Sequence, residues 1–326
     1  MVSFPLLGTM GRLGNQLFQY AFLRVTARRL GVPFYCPSWV GDQVFTLDDG
    51  AERAAAPDAR RHEYREPEHR PGFHQEAAAL EAGTEIAGFF QSARYYPDPG
   101  AVRRWFSLRP ELAADLAQRY ADIDFPQTVS LHLRFGDNLY PPDQRDVYYI
   151  APASYYARAL ARLEPCAHIA VFSDDVPLAR RWLAPLAAAR PGPQFHFMAG
   201  NRPHEDLHLI ARCRHNICSL STLSWWGAFL NRSPHREVVV PQEGAFVPGS
   251  AWRNDDYWLT GWRECPALTD GFTTRERWLE AAWIAQGYAT DLARFLVYRV
   301  ARVPIRSDVA PAVARRLTPT GEPPSR

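Results

Sequence analysis

A histidine, an arginine and an aspartate lie close together in the segment His132–Asp137. The preceding residues, Val129–Leu133, predict a buried strand, and strand alternation puts His132 and Arg134 on the same face near its carboxyl end. Open α/β sheets bind their ligands beyond the carboxyl ends of their strands. Because a guanidinium is permanently charged and can donate two parallel hydrogen bonds, Arg134 is a candidate for binding phosphate. The alternative is a buried ion pair between Arg134 and Asp137, with His132 as a satisfied core residue.

A glycine-rich turn, Gly8–Gly14, precedes a predicted helix over Asn15–Leu30. Glycines let a backbone approach a ligand closely, and the free N–H groups at a helix start favour an anion. Gly14, Asn15 and Gln16 are therefore candidates for contact with a phosphate or a sugar. The glycine spacing is not that of the dinucleotide fingerprint, and the chain has no lysine for a P-loop. The alternative is a plain tight turn before the helix.

Hydroxyl groups are concentrated in Ser219–Ser224, where a predicted strand meets a predicted helix. Ser221, Thr222 and Ser224 are short donors that can reach phosphate oxygens at this second helix N-terminus. The two tryptophans that follow are predicted to be buried and structural rather than to stack on a sugar.

Two adjacent carboxylates, Asp174 and Asp175, end another predicted strand at the same edge of the sheet. A carboxylate can accept both the N1–H and the N2–H of guanine, which is a reason to expect a guanine nucleotide. Asp175 lies just before Pro177 and is predicted to cap the following helix. Asp174 is then a candidate for contact with guanine or for structural support.

Short apolar strands alternate with helices from Gln127 onward, which favours a parallel, doubly wound sheet. The start of the chain reads as a further β-turn-α unit, with a strand over Ser3–Leu7. We therefore expect an α/β protein with two facing Rossmann-like domains, residues 1–125 and 126–265, and a cleft between them. The stretch 45–85 has weak periodicity and is predicted to be irregular and largely exposed.

Residues 266–326 are predicted to form two helices and a tail. The helices are expected over Arg275–Gln286 and Ala289–Ala301, and the proline-rich tail from Thr318 is expected to be disordered. The second helix is basic and amphipathic, which permits contact with an anionic membrane surface. The alternative is that it packs on the core with a solvated arginine edge.

Charge and cysteine content narrow the class of protein. The 37 basic and 35 acidic residues give a net charge of +2. No basic block is dense enough to follow a nucleic-acid backbone, so nucleic acid is not an expected partner.

Five scattered cysteines predict reduced, mostly buried thiols. No signal sequence or membrane-length apolar run is evident. We expect a cytoplasmic protein, with peripheral contact at the inner face of the membrane through the basic helix.

Five segments occur in the order found in one known family and resemble it closely. The family is glycosyltransferase family 11, the bacterial and animal α-1,2-fucosyltransferases. The segments are Gly11–Ala21, Gly88–Tyr96, His132–Asp137, Phe172–Asp175 and Ser221–Ala228.

The resemblance implies a GT-B-type fold, with an acceptor-side first domain and a second domain that binds GDP-fucose. It implies that no metal or other cofactor is required and that Arg134 binds the β-phosphate of the donor. The expected partners are GDP-fucose and a galactose-terminated glycan. Predicted donor contacts are Gly14, Asn15, Gln16, His132, Arg134, Asp174, Ser221, Thr222 and Ser224.

The expected reaction places L-fucose on the 2-hydroxyl of a terminal galactoside. The donor is β-linked and the family's product is α-linked, which implies a single displacement with inversion. Without a metal, the leaving GDP must be stabilised by Arg134 and by donors near Asn15 and Ser221–Ser224. Asp137 is the first candidate for a general base and His132 the second. Because departure of GDP can lead, a strong base is not required.

One position departs from the family pattern, and two other functions compete with this prediction. Family members usually carry a second arginine where this chain has Phe135, so a secondary polar contact is absent. The pair Asp122 and Asp124 could instead hold Mn²⁺ in a metal-dependent nucleotide-sugar transferase. A non-catalytic glycan-binding homologue would keep the fold without turnover.

Overall fold

The computed structural model describes residues 1–57, 62–139 and 142–301. Within these residues the strands are β1 (Val2–Ser3), β2 (Phe34–Tyr35), β3 (His62–Arg65), β4 (Thr84–Ala87), β5 (Thr128–Leu133), β6 (His168–Ser173), β7 (Gln194–Phe197), β8 (His215–Ile217), β9 (Val238–Pro241) and β10 (Arg263–Cys265).

The helices alternate with these strands along most of the chain. They are α1 (Leu13–Leu30), α2 (Gly41–Val44), α3 (Gln75–Ala78), α4 (Pro99–Trp105), α5 (Pro110–Arg119), α6 (Gly136–Leu139), α7 (Ala153–Ala161), α8 (Val176–Ala189), α9 (Pro203–Arg212), α10 (Thr222–Leu230) and α11 (Thr274–Ala301).

The strands form two separate sheets in which every pairing between named strands is parallel. The first has the order β2-β1-β4-β3 and the second the order β10-β9-β8-β5-β6-β7. Read from its other edge, the second sheet has the 3-2-1-4-5-6 strand order of a Rossmann fold. The predicted α/β class, with two facing Rossmann-like halves, is confirmed.

Local sequence signals set the starts of the helices nearest the cleft. Asp175 accepts a hydrogen bond from the backbone N–H of Leu178 at 2.8 Å and so caps α8, as predicted. Pro177 lies in the first turn, where its missing N–H costs nothing. Ser221 caps α10 by accepting from the N–H of Leu223 at 3.3 Å.

Aromatic packing joins the two halves through α1 and α10. Phe18 lies with its ring centroid 4.5 Å from that of Trp225 and 4.9 Å from that of Trp226. Both tryptophans are completely buried, as predicted. The indole N–H of Trp225 donates to the carbonyl of Tyr257 at 2.6 Å. Burial of such large rings stabilises the contact between the two sheets strongly.

A loop of the second half adds polar contacts to the first. Asp256 accepts a hydrogen bond from the Ser92 hydroxyl, and Asn254 donates to the carbonyl of Gln91 at 2.9 Å. The relative position of the two halves is therefore fixed on both sides of the cleft.

The structure corrects three expectations from the sequence. The first strand is only Val2–Ser3; Pro5, which has no N–H for a strand ladder, lies in the turn that follows. The stretch 45–85 is not irregular throughout, because it contains β3, α3 and the start of β4. The C-terminal region forms one helix, Thr274–Ala301, rather than two. Gly287, at the expected break, is tolerated within it at a cost of about 1 kcal/mol.

The beginning of α11 packs on the second half. The indole N–H of Trp283 donates to the carboxylate of Asp175 at 2.7 Å, and Glu276 accepts from the N–H of Ala153 at 2.6 Å. Asp291 is buried as well. Of these residues only Asp291 belongs to the segment Ala289–Ala301, so contact of that segment with a membrane stays a prediction. The tail predicted from Thr318 lies outside the described residues.

Two further sequence expectations concern thiols and membrane spans. All five cysteines are free, and all but Cys166 are buried. Among the helices that the structure describes, none has both the length and the apolar character needed to cross a bilayer.

Candidate active site

A cleft of about 620 Å³ lies at the carboxyl end of the second sheet. The strand order reverses between β5 and β8, and residues that follow both strands line the cleft, among them Arg134 and Ser221. The start of α1 and the loop after β4 line it from the first half. A crevice at such a reversal is where open α/β sheets bind ligands.

Several helix N-termini converge on this cleft. Four helices each contribute their first residue to the lining of the cleft. These residues are Leu13 of α1, Val176 of α8, Pro203 of α9 and Thr222 of α10. Each of these helices has nine or more residues. The free N–H groups and the positive ends of the helix dipoles therefore favour a bound anion.

Gly14 is where α1 and α10 come closest. A Cβ atom at Gly14 would lie 2.7 Å from the carbonyl carbon of Thr222 and 2.8 Å from the nitrogen of Leu223. Any side chain here would push the two helix starts apart. The glycine is therefore required by helix packing, and both Gly14 and Thr222 also line the cleft, as predicted.

Arg134 lies at the centre of a charge cluster on the floor of the cleft. Its Nη2 donates to Asp137, and its Nη1 lies 2.8 Å from Oδ2 of Asp174. Asp174 also accepts from the N–H of Phe135 at 2.9 Å. Across the cleft, Nη2 of Arg12 lies 3.6 Å from Asp137. The ion pair considered as an alternative exists, within a larger network.

The network leaves Arg134 capable of further binding. A guanidinium has five N–H groups, and the contacts to Asp137 and Asp174 use one on each terminal nitrogen. The side chain remains 15% exposed, and it lines the cleft. Arg134 is therefore both held in place and able to donate to a ligand.

His132 is a buried, neutral imidazole at the wall of the cleft. Its Nδ1 lies 2.8 Å from the hydroxyl oxygen of Ser219. Burial, with a contribution from the charge of Arg134, lowers the pKa of His132 to about 3. A group that resists protonation to this degree is a poor general base near neutral pH. Its polar ring is better suited to a hydrogen bond with a ligand.

Two predicted donor contacts lie elsewhere. The side-chain amide of Gln16 donates to the carbonyls of Gly8 and Gly11 at 3.3 and 3.1 Å, so it shapes the turn and does not line the cleft. The Ser224 hydroxyl donates to carbonyls at the start of α10 and is buried away from the cleft. In both cases a nearby carbonyl takes the donor that was expected to meet the ligand.

The other predicted residues are brought together. The cleft is lined by Gly14, Asn15, His132, Arg134, Asp137, Asp174, Ser221 and Thr222. Asn15 is oriented by a hydrogen bond from the side chain of Gln91, with 2.9 Å between the nitrogen and Oδ1.

Asp206, in the first turns of α9, lines the cleft but was missed from the sequence. Its carboxylate accepts a hydrogen bond from the side-chain amide of Asn201, with 2.9 Å between the nitrogen and Oδ1. Burial raises the pKa of Asp206 to about 7. Asp174, in contrast, is already engaged by Arg134 and by a backbone N–H. A carboxylate within a helical pattern gives no sequence signal beyond an ordinary acidic first turn.

Other cleft residues come from segments that carried no assigned role. Gln91 belongs to the Gly88–Tyr96 segment, and Arg12 immediately precedes α1. Tyr148, Phe246 and Trp252 come from loops of the second half. Loop residues can be placed near a site only once the fold is known.

Phe135, which replaces the family's usual second arginine, points into the core. It is completely buried, with its ring centroid 5.4 Å from that of Trp182. It does not line the cleft. At this position the chain therefore contributes packing to the second half rather than a polar group to the site.

The alternative metal-binding pair is remote from the cleft. Asp122 and Asp124 are exposed and precede β5, whereas the cleft lies beyond its other end, about 20 Å away at the rise of a six-residue strand. Among the described residues, no group of three or more His, Cys, Asp or Glu side chains is arranged to hold a metal ion. The placement of this pair argues against the metal-dependent alternative.

Taken together, these features define a class of protein: a Rossmann-type protein whose crevice suits an anionic, nucleotide-sized ligand. Residues 102–262 match the family model for glycosyl transferase family 11. The resemblance predicted from the sequence is confirmed over this segment, which supplies most of the cleft residues of the second half of the molecule.

Three proteins are similar to this chain. An O-antigen biosynthesis glycosyltransferase, WbnK of Escherichia coli, is 34% identical over 36% of this chain and 38% of its own length. An α-1,2-colitosyltransferase of Escherichia coli is 23% identical over 50% of this chain and 57% of its own length. A galactoside 2-α-L-fucosyltransferase of Mus musculus, Sec1, is 26% identical over 73% of this chain and 70% of that protein. The chain thus spans about four tenths of the length of the first relative and about six tenths of the length of the second.

Proposed function

We propose that the protein transfers L-fucose from GDP-fucose to the 2-hydroxyl of a terminal galactoside, with inversion and without a metal ion. The observation that carries this proposal is the position of Arg134 in a cleft where helix N-termini converge, with N–H groups that its contacts to the described residues do not use. The activity for which the murine relative is named supports the same sugar and linkage.

The diphosphate of the donor would lie between Arg134 and the starts of α1 and α10. The backbone N–H groups of these helices, together with the hydroxyls of Ser221 and Thr222, surround this position. As the bond between fucose C1 and the β-phosphate oxygen breaks, its electron pair goes to GDP. Fixed donors at that point stabilise the developing charge without reorganising.

The base of the donor would be read by Asp206 rather than by Asp174. Both oxygens of Asp174 already have partners, whereas Asp206 is half-buried at the cleft wall and accepts from Asn201 through Oδ1. An ionised carboxylate in this position can accept the N1–H and N2–H of guanine. Asp174 then takes the alternative role named for it, which is structural support of Arg134.

Asp137 would act as the general base once the donor has bound. In the structure its carboxylate is held by Arg134 and faces Arg12. A diphosphate carries more negative charge and competes for both arginines, which would release Asp137. It could then take the proton of the acceptor 2-hydroxyl as the oxygen attacks C1. His132 would instead make a neutral hydrogen bond to the donor.

The experiment that tests this function measures products. Purified protein is incubated with lactose and either GDP-fucose, GDP-mannose or UDP-galactose, with and without excess EDTA. We expect GDP release that depends on lactose, only with GDP-fucose and unchanged by EDTA, and an α-1,2 linkage by NMR. Loss of activity in EDTA would support the metal-dependent alternative, and GDP-fucose binding without turnover would support a non-catalytic homologue.

GDP-colitose should be tested as a further donor in the same assay, because one relative is named as a colitosyltransferase. GDP-colitose differs from GDP-fucose at one ring position, and the relative named as a colitosyltransferase spans half of this chain. Faster transfer from GDP-colitose than from GDP-fucose would replace the proposed sugar and leave the site assignments intact.

The location we propose is cytoplasmic, with peripheral contact at the membrane through the end of α11. The contacts of Glu276 and Trp283 lie before Gln286, so a chain ending there keeps them. Such a truncation should retain turnover on lactose and lose binding to anionic vesicles. A truncated protein that no longer folds would show instead that the whole helix is part of the core.

A further inference from the structure

A second cavity, of about 520 Å³, lies at the opposite ends of α9 and α10 from the cleft. We call it the basic cavity. It is lined by the ends of these two helices and by segments of the first half around Phe45 and Phe106. It shares no lining residue with the cleft. Whatever it binds is therefore separate from the donor site.

The rim of this cavity is positively charged and contains no acidic residue among its described lining. Arg103, Arg212 and Arg232 line it. None of these three forms an ion pair with a described carboxylate, unlike the arginines of the cleft. Arg232 also donates to the backbone carbonyl of Arg103 at 3.3 Å, which holds the Arg232 side chain against the Arg103 backbone.

The arginines repel one another. Burial lowers the pKa of the Arg103 guanidinium, and the charges of Arg236 and Arg232 lower it further. Like charges held together without a counter-charge destabilise a fold, and a bound anion would remove this cost.

Structural contacts account for two of the three arginines that line the cavity. Arg103 donates from Nε to the carbonyl of Phe229 at 2.7 Å, near the carboxyl end of α10, and its guanidinium lies 4.5 Å from the Phe229 ring centroid. A cation at a helix carboxyl end is favourable by itself. The guanidinium of Arg212 lies 5.6 Å from the ring centroid of Phe125. Packing does not explain the charge of Arg232, nor that of Arg236, which lies outside the lining but close enough to lower the pKa of Arg103.

The floor of the basic cavity is apolar. Phe45, Phe106, Leu108 and Leu207 line it, and all four are buried side chains that the cavity exposes along one edge. A small inorganic anion would contact the rim and leave this floor uncovered. A ligand that uses the whole cavity must combine negative charge with an apolar body.

We infer that the basic cavity binds an organic phosphate, with the phosphate on the arginine rim and an apolar body on the phenylalanine and leucine floor. Arg232 supplies charge at the rim, and Arg236 adds positive charge from just outside the lining. Arg103 supplies the N–H groups that Phe229 does not use. The ligand bridges the first half to α9 and α10, so it binds where the two halves meet.

The test is isothermal titration of the full chain with geranyl phosphate, which carries both parts of the predicted ligand. The variant Arg232→Gln with Arg236→Gln should bind about 10-fold to 100-fold more weakly, because each charged hydrogen bond contributes on that scale. The matched control, Arg181→Gln with Arg190→Gln, removes the same charge from α8 and its end and should bind as wild type does. Arg134→Gln should also bind normally, because it alters only the cleft.

Two further ligands separate the parts of the proposal. Inorganic phosphate should bind at least about 10-fold more weakly than geranyl phosphate, since it buries no apolar surface. Geraniol, which has no charge, should bind weakly to all variants.

Four results would overturn the inference: no saturable binding by wild type, equal binding by the Arg232 and Arg236 variant, loss of binding in Arg134→Gln, or equal affinity for inorganic phosphate. Binding to phosphatidylglycerol vesicles that needs Arg232 and Arg236, without binding of geranyl phosphate, would also overturn it and indicate a membrane surface. Melting temperatures of all variants, measured in parallel, exclude misfolding as the cause.

Discussion

Two arginines in the two halves of the molecule make similar ion pairs and differ in what remains unused. Arg24, in α1, donates to Glu52 through Nε at 3.0 Å and to the carbonyls of Leu47 and Asp48 at 2.6 and 2.8 Å. Its guanidinium also lies 4.4 Å from the ring centroid of Trp105, and its side chain is 1% exposed. Arg134 pairs with two carboxylates but is 15% exposed at a cleft.

The difference shows how a structural arginine can be told from a ligand-binding one. An arginine whose donors are all satisfied within the protein stabilises the fold and has nothing to offer a ligand. One that keeps unused N–H groups at a cavity can bind an anion. An ion pair at Arg134 therefore does not exclude a role in binding, although the two were treated as alternatives from the sequence.

The largest effect on turnover is expected from substitution of Asp137. The substitution would break the proposed link between donor binding and release of the general base. Asp137→Asn should lower kcat by about 10²-fold to 10⁴-fold, the contribution of a general base. GDP affinity should stay equal or rise, because a competitor for Arg134 loses its charge. Turnover close to wild type would show that departure of GDP leads and no base is needed. Loss of GDP binding would show that Asp137 only positions Arg134.

Arg24 should show the opposite pattern to the cleft arginine. Arg24→Met should lower the free energy of unfolding by about 3 kcal/mol, because the carbonyls of Leu47 and Asp48 lose their donor and Glu52 keeps only Arg28 as an ion-pair partner among the described residues. Chemical denaturation measures this change. The protein that remains folded should keep its kcat/KM, whereas a selective loss of kcat/KM would remove the contrast between the two arginines.

Asp206 should give a smaller effect that depends on pH. Burial raises its pKa to about 7, so the free protein binds a proton there as the pH falls below that value. If guanine requires the ionised carboxylate, GDP affinity should fall as the pH is lowered from 8 to 6, by up to about 10-fold for each unit below 7. Asp206→Asn should bind GDP about 10-fold more weakly at pH 8.

The phosphates of GDP titrate in the same pH range and could change the affinity by themselves. The Asp206→Asn variant is the control, because any pH dependence of GDP binding that remains in it comes from the ligand. Inosine diphosphate lacks the guanine amino group and should lose affinity for wild type but not for this variant. A Asp174→Asn protein should keep the preference for GDP over inosine diphosphate. If that preference is lost there instead, the guanine contact belongs to Asp174.

Much of the fold was predictable because the strands of the second half are apolar, short and regularly spaced. β5 and β6 were predicted to within a residue at each end. The C-terminal helix was not, since Gly287 suggested a break that packing of Trp283 and Asp291 overrides. The exact domain boundaries at 125 and 265 stay predictions, although the two sheets use residues on either side of the first.

The site was predictable where a side chain follows a strand and not where a helix or a loop supplies it. His132 lies at the end of β5, and Arg134 and Ser221 follow β5 and β8, so strand order alone brings them together. Gln16 was misplaced because its neighbouring carbonyls are nearer than the ligand. Asp206 was missed because its burial depends on the packing of α9, which no local pattern reveals.

The central claim, that Arg134 binds the donor diphosphate and stabilises its departure, is tested by measuring the melting temperature and kcat/KM of Arg134→Ala on one preparation. We expect kcat/KM to fall by about 10²-fold to 10³-fold, the cost of one preorganised donor, with a small change in melting temperature. Arg134→Lys should recover little, because an ammonium cannot reproduce the fork. A stable Arg134→Ala protein with wild-type kcat/KM, or one whose only defect is a melting temperature lowered to match Asp137→Ala, would contradict the account.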